Sequence, residues 1–147
     1  MLRMETRKIK NRMKHMLILM ALCALFACNR VFEPVEYGKD ACAHCKMTIM
    51  DKRFAAEIIT PKGKVFKFDD ISCLRAFKAE LPGSMLFVCD YTGTSDAPLD
   101  AVTAVYLHHE SFGSPMNGNL AAFASPADAA HFKDSLQLPL LDWKNLP

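Results

Sequence analysis

The chain has 147 residues, of which 51% are hydrophobic and 23% charged, which fits one or two small folded domains and excludes an intrinsically disordered chain. Its formal net charge is +2, but six of its 18 basic residues precede Cys28, and the remainder carries twelve basic against fifteen acidic residues. A slightly acidic body lacks the clustered basic surface that nucleic-acid binding requires, so we expect no nucleic-acid partner.

The N-terminal segment has the pattern of a secretory signal peptide: basic residues first, then an apolar run at 16–27. The run is too short to span a bilayer comfortably as a helix. Its end, LFAC at 25–28, resembles the bacterial lipobox, in which the cysteine is acylated and becomes the mature N-terminus. We therefore predict a lipoprotein signal peptide at 1–27, lipidation of Cys28 and a tether at 28–40. An ordinary signal peptide cut nearby, or an uncleaved anchor, is the alternative.

A sulfur-rich motif, CAHCKM, follows the tether. Cys42 and Cys45 stand three residues apart, His44 lies between them, and Met47 follows two residues after the second cysteine. In an extended segment the side chains of Cys45 and Met47 leave the same face, so both could contact one ligand.

A β-hairpin and a helix are predicted next. Strands at 54–60 and 64–68 flank a Pro-Lys-Gly turn. Apolar residues at helical spacing then predict a helix that begins after Asp69 or Asp70 as its cap and ends at Leu81, before a Pro-Gly pair.

The second half of the chain repeats this order of elements. Strands are predicted at 84–91, within 100–110 and at 120–125. A helix at 126–136 follows, because Ser125 is a good cap, proline stands at the first helical position and an aspartate lies in the first turn.

These elements predict an α+β fold. The folded domain is expected at 41–136, followed by a C-terminal tail at 137–147. Two small ββα-type modules, at about 42–82 and 84–136, form a pseudo-repeat with a methionine at the mouth of each.

Several chemistries use a CxxC pair, and the surrounding residues distinguish them. Covalent haem attachment requires His directly after the second cysteine, where Lys46 stands. A thioredoxin-like pair lies between a strand and a long helix, whereas this pair precedes a hairpin. A zinc site could add Cys73 and Cys89 as ligands but gives Met47 no role. If they do not bind zinc, Cys73 and Cys89 are expected in the core, and the same is expected of Met50 and Met85.

Copper(I) is the ion that explains a thiol and a thioether together, because it is soft and Cys and Met select for it. We therefore predict a copper(I) site at Cys45 and Met47, joined by Met116 if the two modules pack with their methionines together. Cys42 and His44 are further candidate ligands. The body assembles no nucleophile, base and oxyanion site, so no enzymatic activity is expected.

The stretch at 42–74, CAHCKMTIMDKRFAAEIITPKGKVFKFDDISCL, resembles the NosL family of copper-binding lipoproteins. The family pattern is a C-x-x-C-x-M motif, an Ala-Ala strand, a Gly turn and FDD leading to a cysteine. The resemblance continues in PM at 115–116 and AAFAS at 121–125, and it spans about residues 37–136.

The resemblance implies a lipid-anchored copper(I) chaperone in the cell envelope, facing the periplasm and encoded with nitrous oxide reductase. Its partners would be copper, the membrane, the periplasmic maturation protein of the Nos ABC transporter system and, directly or indirectly, the reductase. By the same resemblance Cys45, Met47 and Met116 would be ligands. A membrane-anchored thiol–disulfide reductase and a structural zinc-binding protein are the alternatives from other classes.

Overall fold

The computed structural model describes residues 30–77, 82–94 and 97–147. Within them, two small antiparallel sheets and two α-helices make up the fold, which confirms the predicted α+β class. The predicted signal peptide at 1–27 and the lipidation site Cys28 lie outside the described residues. In the described part of the chain, no helix is long and apolar enough to cross a membrane.

The first sheet is built on the predicted hairpin, which the structure confirms. Strand β1 (Ala56–Ile59) pairs antiparallel with β2 (Val65–Phe68), and Gly63 turns the chain between them with φ +78. Strand β3 (Met85–Val88) pairs with the other edge of β1, and the short β4 (Leu99–Asp100) pairs with β3. The order β2-β1-β3-β4 leaves β1 inside the sheet, and all four of its residues are buried.

Helix α1 (Ile71–Ala76) begins directly after β2. Asp70 is its N-cap, and the Asp70 side chain accepts a backbone hydrogen bond in the first turn. The helix is shorter than predicted, because Phe77 is extended with ψ 109. The Phe77 ring instead packs against two phenylalanine rings of β2, with centroids 4.9 and 5.2 Å away. Leu81, the predicted helix end, lies outside the described residues.

The second sheet contains β5 (Val105–His108) and β6 (Leu120–Phe123), which pair antiparallel. Helix α2 (Pro126–Leu136) follows as predicted, with Ser125 as its cap and proline in its first turn. It ends at Gln137, which is left-handed with φ 53. Two 3₁₀ turns, Glu110–Phe112 and Trp143–Asn145, complete the secondary structure.

Two hydrophobic clusters hold the elements together. The larger cluster joins the first sheet and α1 to β5 and β6 through Tyr106 and Ala122. The smaller cluster lies between the second sheet and α2, where Phe54, Phe112 and Phe123 are buried. The first sheet and the second therefore share one core, although they do not pair with each other.

Both ends of the described chain pack on this body. Val35 is buried, and the Phe32 ring lies 5.8 Å from the ring of Phe87 on β3. At the other end, Leu141 pairs with Tyr106 of β5. The predicted tether therefore packs against the body at Phe32 and Val35.

The structure adds two details to the predicted arrangement. The boundary between the two modules is predicted near residue 83. Because β3 pairs with β1, the first sheet continues across that boundary into the second predicted module. Met50 and Met85, predicted in the core, are exposed by 70% and 36%, so that prediction was wrong. Met85 is exposed because it begins β3 at the end of the sheet, and Met50 follows the buried Ile49 on the outside of its loop.

Candidate metal centre

The sulfur-rich motif lies on a closed loop that precedes β1. An isolated bridge between Ala41 and Thr48 forms the neck of the loop. Inside it, the Cys42 N–H donates to the Met47 carbonyl at 2.8 Å, and the Lys46 N–H donates to the Cys42 carbonyl at 3.1 Å. The two cysteines are therefore held on one short turn.

The loop is not the extended segment that we expected around Cys45 and Met47. Lys46, between them, is left-handed with φ 70, and residues 43–45 form a turn. The alternation that would place both side chains on one face does not apply to this geometry. A non-glycine residue in the left-handed region is uncommon, and here it closes the turn.

The first sheet positions the loop beside the start of α1. The Ala43 N–H donates to the carbonyl of Lys67 on β2 at 2.8 Å. One residue after β2 stands Asp69, and Cys73 lies on the first turn of α1. The end of β2, the start of α1 and the loop that carries the CxxC motif therefore lie next to one another.

Four side chains converge there: Cys42, Cys45, Asp69 and Cys73. Their ligand atoms all lie within 4.8 Å of one another. Cys42, Asp69 and Cys73 are 1–2% exposed, whereas Cys45 is partly exposed. The Cys45 thiol donates to both carboxylate oxygens of Asp69, at 3.4 Å each. The cluster is thus open to solvent on the Cys45 side.

Two thiols of this cluster, Cys45 and Cys73, have a raised pKa in the absence of a cation. Burial raises the pKa of Cys45, and the neighbouring Cys42 and Asp69 raise it further, while a hydrogen bond from the Met47 backbone opposes the shift. Burial also raises the pKa of Cys73 strongly, again with contributions from Cys42 and Asp69. A bound cation would reverse this balance, because a coordinating thiol loses its proton.

The loop at 114–119 is fastened to the same helix start. The Asp70 carboxylate accepts hydrogen bonds from the Ser114 hydroxyl at 2.5 Å and from the Met116 N–H at 3.0 Å. A Cβ atom at Gly118 would lie 2.5 Å from the Ser72 side chain, so only glycine allows this close approach. Met116 is therefore anchored through the residue that follows Asp69.

The structure places the predicted ligands in two groups. Cys42 and Cys45 belong to the cluster. Met47 and Met116 are 45% and 40% exposed and lie on the loops described above, and His44 is exposed within the CxxC turn. Their role as ligands stays a prediction.

The sequence pattern predicts no ligand role for Asp69 and a core position for Cys73. Cys73 is buried as expected, yet its sulfur also belongs to the cluster. One aspartate is enough to cap the helix, and Asp70 does so. The other aspartate of the FDD motif, Asp69, then has no local structural role, and this could have marked it as a candidate ligand. Cys89, the other zinc ligand considered, is outside the cluster; its sulfur lies 3.9 Å from the Tyr37 hydroxyl.

Among the described cysteines all four thiols are free. Three thiols and a carboxylate at this spacing can surround a single ion, with sulfur as the dominant donor. The raised thiol pKa values are the opposite of what an attacking thiol in disulfide exchange requires.

This fold and this cluster define a small α+β protein with a thiol-rich candidate metal centre. The family model NosL matches residues 35–145, most of the chain, and the chain belongs to the NosL family, which confirms the resemblance. Among solved structures it is similar to the copper chaperone NosL from Shewanella denitrificans, at 20% sequence identity and a TM-score of 0.61, covering 78% of this chain and 94% of that chain. At 20% identity, this structural similarity is evidence for the fold alone. Among curated proteins, none matches the chain.

Proposed function

We propose that this protein is a copper(I)-binding chaperone, anchored by lipid at Cys28 in the cell envelope and facing the periplasm. The observation that supports copper binding is the convergence of Cys73 with Cys42 and Cys45, the two cysteines of the family's C-x-x-C-x-M motif, in a cluster whose ligand atoms lie within 4.8 Å. Membership of the NosL family and the fold of a copper chaperone point the same way.

The donor chemistry suits copper(I). Thiolate and thioether sulfur are soft donors, which this ion prefers, and it is satisfied by few ligands. Cys45 is the central ligand in our proposal because it is the cysteine of the cluster that reaches solvent. Cys42 and Cys73 lie behind it, so they would hold the ion from the protein side. Each thiol that binds gives up a proton, so copper binding weakens as the pH falls.

The exposed sulfur atoms suit transfer of the ion. Met47 lies on the loop that carries Cys42 and Cys45, and Met116 lies on the loop at 114–119. Both side chains are partly in solvent, and a thioether is a weaker donor than a thiolate. We assign them to the solvent side of the site, where a partner's donor could replace them. His44 is a further candidate on the same side.

The client is proposed from the family. Copper would pass to the periplasmic maturation protein of the Nos ABC transporter system and, directly or indirectly, to nitrous oxide reductase. A binding and transfer protein of this kind needs no catalytic residues.

A structural zinc site is the second candidate, because one carboxylate and three thiols are also a complete tetrahedral donor set for zinc. The two candidates differ in the use of methionine. Zinc would employ Asp69 and leave Met47 and Met116 without a role, whereas copper(I) would employ the thioethers.

A copper(I) titration of the reduced protein, under anaerobic conditions and against a competing chelator, tests the proposal. Cys45→Ser and Met47→Leu should each weaken binding by at least about tenfold, since changes even to the partners of metal ligands cost about 10–100-fold in affinity. Met50→Leu and Cys89→Ser are matched controls, because Met50 is an exposed methionine outside the C-x-x-C-x-M motif and Cys89 lies outside the cluster.

Cys73→Ser distinguishes the proposed site from a site made only of the CxxC motif and Met47. The variant should weaken copper binding if the cluster holds the ion, and it should have no effect if Cys73 is not a ligand. Tight binding that Met47→Leu leaves unchanged would reject the role of the thioether. Zinc in the purified protein, retained without added copper and lost in Asp69→Asn, would favour the second candidate.

A further inference from the structure

The two ends of the first sheet have different neighbours. At one end, β1 finishes at Ile59, opposite Val65 and Met85. At the other end, β2 finishes at Phe68 and leads directly to Asp69 of the metal cluster. The strands between the two ends span about 10 Å, at about 3.3 Å per residue.

The N-terminal segment reaches the fold at the end that is remote from the cluster. The guanidinium of Arg30 donates to the carbonyl of Gly83, just before β3, at 2.7 Å. Gly83 is itself next to the hairpin turn, since a Cβ atom there would contact the Pro61 side chain at 3.6 Å. We call the group formed by 30–31, 61–64 and 82–85 the basic end.

The basic end carries charge of one sign. Arg30, Lys62 and Lys64 are exposed, and no acidic residue occurs in its three stretches. Val31 and Met85 are apolar and exposed by 61% and 36% beside them. Exposed apolar side chains among basic ones are typical of surfaces that lie on anionic lipid headgroups.

We propose that the basic end lies on an anionic bilayer surface, which turns the metal cluster away from the membrane. The inference rests on the lipidation of Cys28 in the proposed function. Only Asn29 separates that residue from Arg30, so the lipid would be attached within about 7 Å of the basic end. Near an anionic surface each basic residue contributes about a fivefold preference for contact.

This orientation suits a protein that must hand over an ion. Because the cluster is at the opposite end of the strands, Cys45 and the exposed Met47 would face the aqueous compartment. A soluble partner could reach them while the lipid anchor stays inserted.

Lysine footprinting of the full lipidated chain in vesicles tests the proposal. We would compare phosphatidylglycerol-containing vesicles with pure phosphatidylcholine and measure acylation of each lysine by a water-soluble reagent. The acylation rates of Lys62 and Lys64 should be at least about fivefold lower on the anionic vesicles. Lys46 lies on the loop that carries Cys42 and Cys45, and Lys39 stands two residues before the neck of that loop, so both should react equally on the two kinds of vesicle. Equal rates at all four lysines would overturn the proposal.

Charge reversal provides the second arm. On anionic vesicles Met85 should resist oxidation by chloramine-T, a water-soluble oxidant, while Met50 reacts. The double variant Lys62→Glu, Lys64→Glu should lose the protection of Met85, and the matched double variant Lys39→Glu, Lys46→Glu should keep it. Protection that survives reversal at 62 and 64 would refute an electrostatic contact.

The outcome is independent of copper binding. The intact mass of the purified protein reports the acyl groups, and a chain without them overturns the premise of the orientation. A normal copper titration with a failed footprint rejects the orientation alone, whereas a normal footprint with no copper binding rejects the proposed function alone.

Discussion

Among the individual residues of the first sheet, Glu57 places a carboxyl group in the core. Its side chain is fully buried on β1. Oε1 accepts a hydrogen bond from the Glu33 N–H at 3.0 Å, but Oε2 finds no donor among the described residues. Burial raises the pKa of Glu57 to about 7, although Lys67, paired with it across the sheet, lowers it. The carboxyl is therefore neutral in mildly acidic solution.

We predict that Glu57 makes the protein less stable as the pH rises from about 4.3 to about 7. In this window the folded state keeps a proton that the unfolded chain has lost, so the free energy of unfolding falls with rising pH, by about 4 kcal/mol in total at most. Above about 7 both states are ionised and the effect levels off. Urea unfolding at pH 5 and pH 8 measures it.

Glu57→Gln is the control for this prediction, because the amide keeps the shape of the side chain and cannot titrate. The variant should lose most of the difference between pH 5 and pH 8 and should be more stable than the wild type at pH 8. An unchanged pH dependence would assign the effect to other groups.

Among the secondary-structure elements, the start of α1 combines two tasks. Asp70 Oδ1 caps the helix, and Asp70 Oδ2 holds the loop at 114–119. Gly118 lets that loop approach the Ser72 side chain and Asp70. The short helix therefore connects the position of the Met116 loop with that of the cluster, since Cys73 lies on the same turn.

Gly118→Ala should move the loop away from α1, because the new Cβ atom would meet Ser72 at 2.5 Å and Asp70 Oδ1 at 2.8 Å. We expect a loss of about 1–3 kcal/mol in the free energy of unfolding, the usual cost of overpacking. Adding Ser72→Gly removes the closest contact and should restore part of the loss. A double-mutant cycle from denaturant unfolding checks this, and simple additivity of the two changes would contradict it.

Across the whole molecule, the C-terminal residues connect the second sheet to α1. Leu141 pairs with Tyr106 of β5, while Arg75 of α1 donates to the carbonyls of Trp143 and Leu146 at 2.9 Å each. The Arg75 guanidinium also lies over the Trp143 ring, 5.5 Å from its centroid. The segment predicted as a tail is thus part of the packed body.

Arg75→Ala should lower the stability of the entire protein by about 1–3 kcal/mol, because two hydrogen bonds from a charged group are lost together. Arg75→Lys keeps the charge but cannot reach both carbonyls in the same fork, so it should recover only part of the loss. Thermal unfolding followed by Trp143 fluorescence reports the effect. If the alanine variant unfolds like the wild type, the C-terminal segment does not contribute to global stability.

Short-range features of the molecule follow from the primary structure. The β1–β2 hairpin depends on a three-residue turn, α2 on the Ser125 cap and proline beside it, and α1 on one of two adjacent aspartates. The CxxC turn and its methionine predict a soft-metal site for the same reason, since all its residues lie within six positions. Patterns of this length are encoded by neighbouring side chains and backbone preferences, so they can be recognised without the fold.

Tertiary packing sets the long-range features. Cys73 stands beside Cys42 in the cluster although 31 positions separate them, and a buried cysteine on a helix has the same local pattern whether it fills the core or binds an ion. The pairing of β3 with β1, the exposure of Met85 and the packing of the C-terminal segment on Tyr106 are likewise invisible in any short window. They depend on which surfaces meet once the hydrophobic residues are buried, and burial is non-directional, so no local pattern specifies its partner.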